Sequence, residues 1–152
     1  MTHQQQILIK QLRENLLVLE QSLEALNYSY QKCQGFKPHQ AQTPDDLESW
    51  EALIARFART SDILTQKVFK SLFLLLQEKM LTFLDAANFL EKIGVVEKAD
   101  DLITIRELRN EVAHEYANPM HLEEIYTVIF STIPLLIDII ERTKAYIREK
   151  EL

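Results

Sequence analysis

Apolar residues recur along the chain at steps of three and four, which is the spacing of one face of an α-helix. The first series runs from about Gln4 to Gln34 and forms a narrow seam, suited to near-parallel packing against another helix. Gly35 is a natural end for this helix, and the segment that follows it to Thr43 is predicted to be a loop. The seam consists of Ile9, Leu12, Leu16, Leu19, Leu23, Leu26 and Tyr30.

A second helix is predicted to begin at Thr43, whose hydroxyl can cap it. Pro44 suits the first helical position, and Asp45 and Asp46 complement the positive end of the helix dipole. The segment from Ser71 to Leu76 is apolar on nearly every side, which predicts burial on more than one face. The apolar series of this helix comprises Trp50, Leu53, Ile54, Phe57, Leu64, Val68, Leu72, Leu75 and Leu76.

Two further helices are predicted in the second half of the chain, the first of them short. Thr82 and Asp85 resemble a capping pair, and Gly94 should end the short helix. Asp100 and Asp101 then open a fourth helix. Its apolar stripe is formed by Leu102, Ile105, Leu108 and Val112.

The last helix is predicted from about His121 to Lys150. Asn118 and Pro119 separate it from the fourth helix, since the residue before a proline is biased out of the helical region. Pro134 lies inside the pattern, so we expect a kink there. The chain is therefore predicted to be all-α, an up-and-down bundle of four main helices plus one short helix. It is predicted to form a single domain over residues 1–152.

Composition agrees with this picture and narrows the possible functions. The chain has 152 residues, 47% of them apolar, with only two glycines and four prolines. The single cysteine, Cys33, excludes an intrachain disulfide, and no signal peptide or membrane-spanning run is visible, so a soluble cytoplasmic protein is expected. The net charge of −6 argues against non-specific binding to nucleic acid, so any RNA site would be a local basic pocket.

The candidate chemistry is concentrated near the end of the fourth helix. Arg109, Asn110, His114 and Tyr116 fall within eight residues there. On a regular helix Arg109 and Tyr116 share one edge, whereas Arg109 and His114 are roughly 140° apart. One copy cannot easily bring the arginine and the histidine to one small ligand. The face between them holds Ile103 and Ala113, which favours a partner surface, so a two-fold dimer is predicted.

The pattern Arg-Asn-x-x-x-His-x-Tyr at residues 109–116 resembles the Arg-x4-His-x-Tyr signature of HEPN-domain proteins. It is most similar to HEPN toxins that are encoded beside a minimal nucleotidyltransferase antitoxin, and also to helical nucleotidyltransferase substrate-binding proteins. The resemblance implies a homodimeric endoribonuclease toxin that needs neither metal nor cofactor. It also implies a nucleotidyltransferase partner, which in some pairs adenylylates the tyrosine of the motif, here Tyr116.

These side chains suit metal-independent RNA cleavage. The imidazole of His114 can take a proton from a ribose 2′-hydroxyl or give one to the leaving oxygen. The guanidinium of Arg109 can hold a phosphate and stabilise the charge that builds up on it. Asn110, four residues before His114, can orient the imidazole ring or donate to a phosphate oxygen.

Other interpretations of the same residues stay open. Arg109 can simply pair with Glu107, Glu111 or another carboxylate, and His114 can simply favour the helix C-terminus. The segment 56–62 resembles the second helix of nucleotidyltransferase-associated HEPN proteins, although its charges are first interpreted as a solvated face. The alternative function is a non-catalytic helical module that binds a nucleotidyltransferase or presents a substrate to it.

Overall fold

The computed structural model describes residues 1–37, 43–115 and 122–152, and all regular secondary structure in them is helical. Within these ranges, six α-helices and one π-helical turn pack as a helical bundle. None of the described helices has both the length and the apolar character that crossing a membrane requires. The elements are α1 (His3–Lys32), α2 (Pro44–Ile63), the π-turn (Leu64–Val68), α3 (Phe69–Leu76), α4 (Phe83–Lys92), α5 (Ala99–Glu115) and α6 (Leu122–Glu149).

The predicted starts of α2 and α4 are confirmed by their capping hydrogen bonds, whereas the start predicted at His121 lies outside the described residues. The Thr43 hydroxyl accepts from the backbone N–H of Asp46, whose carboxylate accepts in return from the Thr43 N–H, and Pro44 occupies the first turn. The Thr82 hydroxyl accepts from the backbone N–H of Asp85 at 3.0 Å. These bonds satisfy N–H groups that a helix start leaves without an intrahelical acceptor.

The predicted helix ends are confirmed within a few residues. Gly35 and Gly94 have φ angles of +83° and +82°, a region that residues with a Cβ rarely adopt, and they follow α1 and α4. The predicted ends at Asn118 and Pro119 lie outside the described residues. Helix α6 runs through Pro134 without interruption, and the kink expected there stays a prediction.

The core is built from the faces that the spacing predicted. Leu12, Leu19, Leu23 and Leu26 of α1 are buried, with the other members of the seam half-buried. The whole stripe of α5 is buried, and α5 packs against α2, α4 and α6. The core position of this stripe therefore determines which side of α5 carries the candidate functional residues. The stripe is Leu102, Ile105, Leu108 and Val112.

The predicted second helix is interrupted by the π-turn, which the apolar spacing did not indicate. Within the turn the backbone N–H of Phe69 donates to the carbonyl of Leu64, five residues earlier. Asn15 of α1 supports the turn through hydrogen bonds to the Lys67 carbonyl and the Ser71 hydroxyl. Single π-helical turns inside α-helices are frequent at functional sites.

The apolar segment after the π-turn is buried on more than one face, as predicted. Ser71, Leu72 and Phe73 are buried and span more than half of the helix circumference. Leu74, however, is 62% exposed, and Leu81 and Leu84 just beyond it are exposed as well. This end of the bundle therefore presents apolar side chains at its surface.

Candidate functional site

The core stripe of α5 places the motif residues at its edge and beyond. Leu108 and Val112 are buried, Arg109 beside them is half-buried, and Asn110 and His114 are exposed. Tyr116, the predicted modification site, lies outside the described residues. The site that the structure describes is therefore the part of the motif from Arg109 to His114.

Arg109 is held by an ion pair with Asp62 of α2. Its Nε and Nη2 donate to the two carboxylate oxygens, each at 2.9 Å, and the side chains are 29% and 35% exposed. Hydrogen bonding to Asp62 raises the pKa of Arg109, while burial opposes that rise. Such a two-point contact fixes the plane and the direction of the guanidinium. The expectation that Arg109 pairs with a carboxylate is correct, although the partner is neither Glu107 nor Glu111.

The role of Asp62 was not predicted from the sequence, because the charged residues of segment 56–62 were interpreted as a solvated face. The sequence did contain a signal for it. Between Glu51 and Glu78 there are four cationic residues, and Asp62 is the only carboxylate. Both of its chain neighbours, Ser61 and Ile63, are buried, so Asp62 stands at the edge of the core. Of the predicted face, only Arg59 is fully exposed.

A cavity of about 270 Å³ opens beside this ion pair, and we call it the Asp62–Arg109 cavity. It lies where the end of α2, the π-turn, α3, α4 and α5 meet. Three cationic side chains and one carboxylate line it, so its wall is net positive although the chain has a net charge of −6. Its lining residues are Ser61, Asp62, Thr65, Gln66, Lys70, Phe83, Ile105, Arg106, Arg109 and Asn110.

The other two cations of this cavity are not neutralised by a carboxylate in the described part of the chain. The guanidinium carbon of Arg106 lies 4.3 Å from the centre of the Phe83 ring, a cation–π contact that limits where the side chain can go. Lys70 is exposed on α3. Because Asp62 already binds Arg109, the positive charge of the cavity resides on Lys70 and Arg106.

Ser61 adds an unusual polar group to the same wall. Its side chain is 2% exposed, and its hydroxyl has no hydrogen-bond partner among the described residues. The Ser61 carbonyl accepts from the Thr65 hydroxyl at 3.0 Å, so the backbone at this point is engaged although the side chain is not. A buried hydroxyl without a partner destabilises a fold, and such groups in native proteins need an explanation.

Arg109 and Asn110 share one cavity, the Asp62–Arg109 cavity, and His114 is not among the residues that line it. His114 is exposed and lines none of the cavities described here. The shared arginine–histidine cleft of a dimer stays a prediction. Ile103, which was expected to favour a partner surface, is half-buried against the core of its own chain.

A second cavity, of about 430 Å³, lies between α1 and α2, and we call it the α1–α2 cavity. It also contains a half-buried arginine, Arg56, whose Nη1 donates to the Ala25 carbonyl and the Ser29 hydroxyl. Two cations and two carboxylates line it, so its charges balance. Its lining residues are Tyr28, Ser29, Lys32, Asp45, Glu48, Ser49, Ala52 and Arg56.

Behind the α1–α2 cavity lies a buried aromatic contact. Trp50 stacks on Tyr126 with ring centres 4.4 Å apart, and the Tyr126 hydroxyl donates to the Cys33 carbonyl at 3.2 Å. Burial raises the pKa of the Tyr126 phenol and that of the Cys33 thiol. Cys33 is thus a small buried core residue. In the described parts of the chain, no group of three or more His, Cys, Asp or Glu side chains is placed to hold a metal ion.

Comparisons with known proteins add no assignment to this geometry. No family model matches the chain, and neither the curated proteins nor the solved structures show a significant similarity to it. The site therefore has to be interpreted from its own chemistry, together with the resemblance that the motif carries.

Proposed function

We propose that the chain is a HEPN-type endoribonuclease that cleaves RNA without a metal ion and acts as a homodimer. Arg109 and His114 are its catalytic residues, and Asn110 assists them. The proposal rests on one observation above all. Arg109 is fixed in direction by Asp62 at the edge of a net-positive cavity, on an otherwise acidic chain.

In this mechanism Asp62 is a positioning residue that leaves Arg109 able to bind phosphate. A guanidinium has five N–H donors, and Asp62 takes one from Nε and one from Nη2. The remaining three donors have no hydrogen-bond partner among the described residues, so they can bind an RNA phosphate, and they are held in one plane. Pre-organised donors of this kind stabilise the charge that develops on a phosphate during reaction.

The chemical step uses His114 and the ribose itself. The imidazole takes the proton of a ribose 2′-hydroxyl, and the oxygen attacks the adjacent phosphorus. The bond from phosphorus to the 5′-oxygen of the next nucleotide breaks, and that oxygen receives a proton from a second imidazole, the partner's His114. The products carry a 2′,3′-cyclic phosphate and a 5′-hydroxyl.

The dimer is needed because Arg109 and His114 point in directions about 140° apart on α5. Across a two-fold axis, the arginine of one copy meets the histidine of the other. We further propose that the four main helices of each copy alternate in direction and that residues 1–152 form one domain. The protein acts in the cytoplasm.

The dimer can be tested directly. Light scattering of the purified protein at micromolar concentration should report twice the chain mass. A clean monomer would remove the shared cleft.

The decisive experiment is RNA cleavage in the presence of EDTA. Wild type should cut RNA, and His114→Ala should lose about 100-fold or more in rate, because general acid–base catalysis contributes at least that much. His3→Ala is the matched control, since His3 is also exposed on a helix, and it should cut normally. Circular dichroism should show the same helix content in all three. Products with a 5′-phosphate, or full activity in His114→Ala, would exclude this mechanism.

The biological role that we propose is the toxin half of a toxin–antitoxin pair whose antitoxin is a minimal nucleotidyltransferase. The partner adenylylates Tyr116. On a regular helix Tyr116 shares an edge with Arg109, so the added phosphate competes with the RNA phosphate for Arg109. Tyr116→Phe should keep RNA cleavage and should escape the mass gain of AMP on incubation with the partner and ATP. Tyr28→Phe, at an exposed tyrosine elsewhere, should still be modified.

The second candidate is a non-catalytic module that binds a nucleotidyltransferase or presents its substrate. Two observations favour it: the Asp62–Arg109 ion pair joins two helices as a purely structural pair would, and Leu74, Leu81 and Leu84 are exposed. Large exposed apolar patches mark protein contacts. Wild-type protein that binds the nucleotidyltransferase but leaves RNA intact in EDTA would establish this candidate instead.

A further inference from the structure

We infer that the Asp62–Arg109 cavity is a binding site for a phosphate monoester group, held by Lys70, Arg106 and the Ser61 hydroxyl. The group can come from a free phosphate compound or from the terminal phosphate of an RNA. The inference goes beyond RNA cleavage, since phosphate binding needs no reaction. Only the assignment of the phosphate to an RNA end rests on the proposed function.

The charge of the cavity matches this ligand. A phosphate monoester carries a charge of about −1.5 to −2 at neutral pH. Asp62 and Arg109 pair with each other, which leaves Lys70 and Arg106 as the two cations with no carboxylate partner in the described residues. Both side chains line one cavity on an acidic chain, where attraction for an anion is local and not a property of the whole surface.

The Ser61 hydroxyl is the second, independent observation. Ser61 lines the cavity, and its hydroxyl is almost completely buried and has no partner among the described residues. A serine inside a helix ordinarily bonds a carbonyl one turn earlier, which would satisfy it at little cost. A phosphate oxygen at the inner end of the cavity would accept a hydrogen bond from this hydroxyl and remove the cost of its burial.

The π-turn explains how the sequence brings these groups to one place. Ser61 and Lys70 are nine residues apart, on different segments of one continuous helical stretch. A π-helical turn, closed by bonds to the fifth residue, rotates fewer degrees per residue than an α-helix. It therefore changes the direction of every side chain that follows it, and Lys70 is the first charged residue after the turn.

The size of the cavity favours a small group or a chain end. About 270 Å³ is just below the range of sites for drug-sized ligands, so the space suits one phosphate and its immediate substituent. An internal phosphodiester needs an open groove with two exits for the strand. A monoester has one substituent only and can enter a cavity with its phosphate first.

The test is a binding titration of the full chain, in which binding is measured by isothermal titration calorimetry and by changes in amide NMR shifts. The probes are inorganic phosphate and short RNA oligonucleotides with and without a terminal phosphate, added to a His114→Ala protein so that no RNA is cut. Inorganic phosphate should bind, and phosphorylated RNA should bind at least tenfold tighter than the same RNA ending in a hydroxyl. Phosphate that binds without any such preference for phosphorylated RNA identifies the free compound as the source.

Single substitutions test the named groups. Lys70→Ala and Arg106→Ala should each weaken phosphate binding about tenfold, the loss expected for one charge-assisted contact. Ser61→Ala should weaken it severalfold and leave the thermal midpoint unchanged or higher. Lys67→Ala, in the π-turn, and Arg59→Ala, on α2, are the matched controls, because both are exposed and neither lines the cavity.

Two outcomes would overturn the inference. The first is the absence of any heat or shift change at millimolar phosphate. The second is an equal loss of binding in Lys67→Ala or Arg59→Ala, which would mean diffuse attraction to the surface. Failure of the proposed function is a separate result: RNA can remain uncut by wild type while phosphate still binds in this cavity.

Discussion

The α1–α2 cavity and the Asp62–Arg109 cavity both lie along α2 and contain similar side chains, but they differ in net charge. Each is lined by a half-buried arginine that bonds to a neighbouring helix, Arg56 to α1 and Arg109 across to α2 itself. The α1–α2 cavity contains equal numbers of cations and carboxylates, whereas the Asp62–Arg109 cavity has an excess of cations. The α1–α2 cavity is also the larger of the two.

The two cavities differ in uncompensated charge as well as in volume, and the larger one is the one whose charges balance. In the larger cavity, Arg56 bonds neutral oxygens and its charge is offset by nearby Asp45 and Glu48. In the smaller one, the only carboxylate is committed to Arg109, and a hydroxyl stands buried without a partner among the described residues. A buried polar group without a partner costs free energy, and a ligand that bonds to it removes that cost.

The largest expected difference between the two cavities is in the effect of replacing their arginines on the rate of RNA cleavage. Arg109→Ala should lower the rate of RNA cleavage about 100-fold or more, because it removes the group that stabilises charge on the phosphate. Arg56→Ala removes the equivalent side chain of the other cavity and should leave the cleavage rate within about twofold of wild type. Initial rates on one RNA under EDTA measure both, and equal losses would show that the two cavities do not differ in function.

The second comparison concerns the carboxylates. Asp62→Ala should destabilise the fold by about 1–2 kcal/mol, since it leaves the half-buried Arg109 without its partner; the partial exposure of the pair keeps this below the cost of a fully buried one. Glu48→Ala, at an exposed carboxylate of the α1–α2 cavity, should change stability by less than about 0.5 kcal/mol.

Urea unfolding measures both changes in stability. Cleavage assays test a positioning role of Asp62 separately, because a purely structural residue would not affect the rate of the folded enzyme. Asp62→Ala should lower the rate constant of cleavage with little change in RNA affinity, because its effect is on the direction of Arg109. Asp62→Glu should recover part of that rate. A variant that is destabilised yet fully active would leave Asp62 a structural residue only.

The buried phenol behind the α1–α2 cavity predicts a pH dependence. Burial raises the pKa of Tyr126 above the value of about 10 that it has in the unfolded chain. The unfolded state therefore loses its proton first, and the stability contributed by the neutral phenol is present below pH 10 and declines above it. Tyr126→Phe should lose about 1 kcal/mol at neutral pH and then decline less steeply above pH 10 than wild type does.

Tyr28→Phe is the control for this pH dependence, because the Tyr28 side chain is exposed whereas that of Tyr126 is buried. Its unfolding free energy should follow that of wild type from pH 8 to pH 11. If Tyr126→Phe also followed wild type over that range, the buried hydroxyl would have no part in alkaline destabilisation.

The smallest effect is also the sharpest, because two buried serines should respond in opposite directions. Ser29→Ala removes a hydroxyl that accepts from Arg56 at 2.8 Å and should cost about 1 kcal/mol. Ser61→Ala removes a hydroxyl without a partner among the described residues and should stabilise the fold by roughly 0.5–1 kcal/mol. The gain in helix propensity is the same at both positions, so it cancels from the comparison. Losses of equal size would mean that the Ser61 hydroxyl has a bond in solution.

Much of the fold could be predicted from the sequence, because its signals are local. Thr43, Thr82, Gly35 and Gly94 act through the backbone within a few residues of themselves, so their roles do not depend on the rest of the chain. The buried stripe of α5 followed from apolar spacing alone. By the same reasoning, Arg109 and His114 were known to lie on different sides of one helix.

The partners across the bundle were decided by tertiary structure. Asp62 lies 47 residues from Arg109 in the sequence, and the apolar spacing of the two helices does not predict a contact between these side chains. The π-turn was equally invisible, since one wider turn leaves the apolar pattern almost unchanged while it redirects the side chains that follow. The sequence by itself determined the helices, their caps and the core face of α5, because those depend on neighbours along the chain. The ion pair, the cavity and the unpartnered Ser61 hydroxyl depend on distances between helices, and only packing sets those.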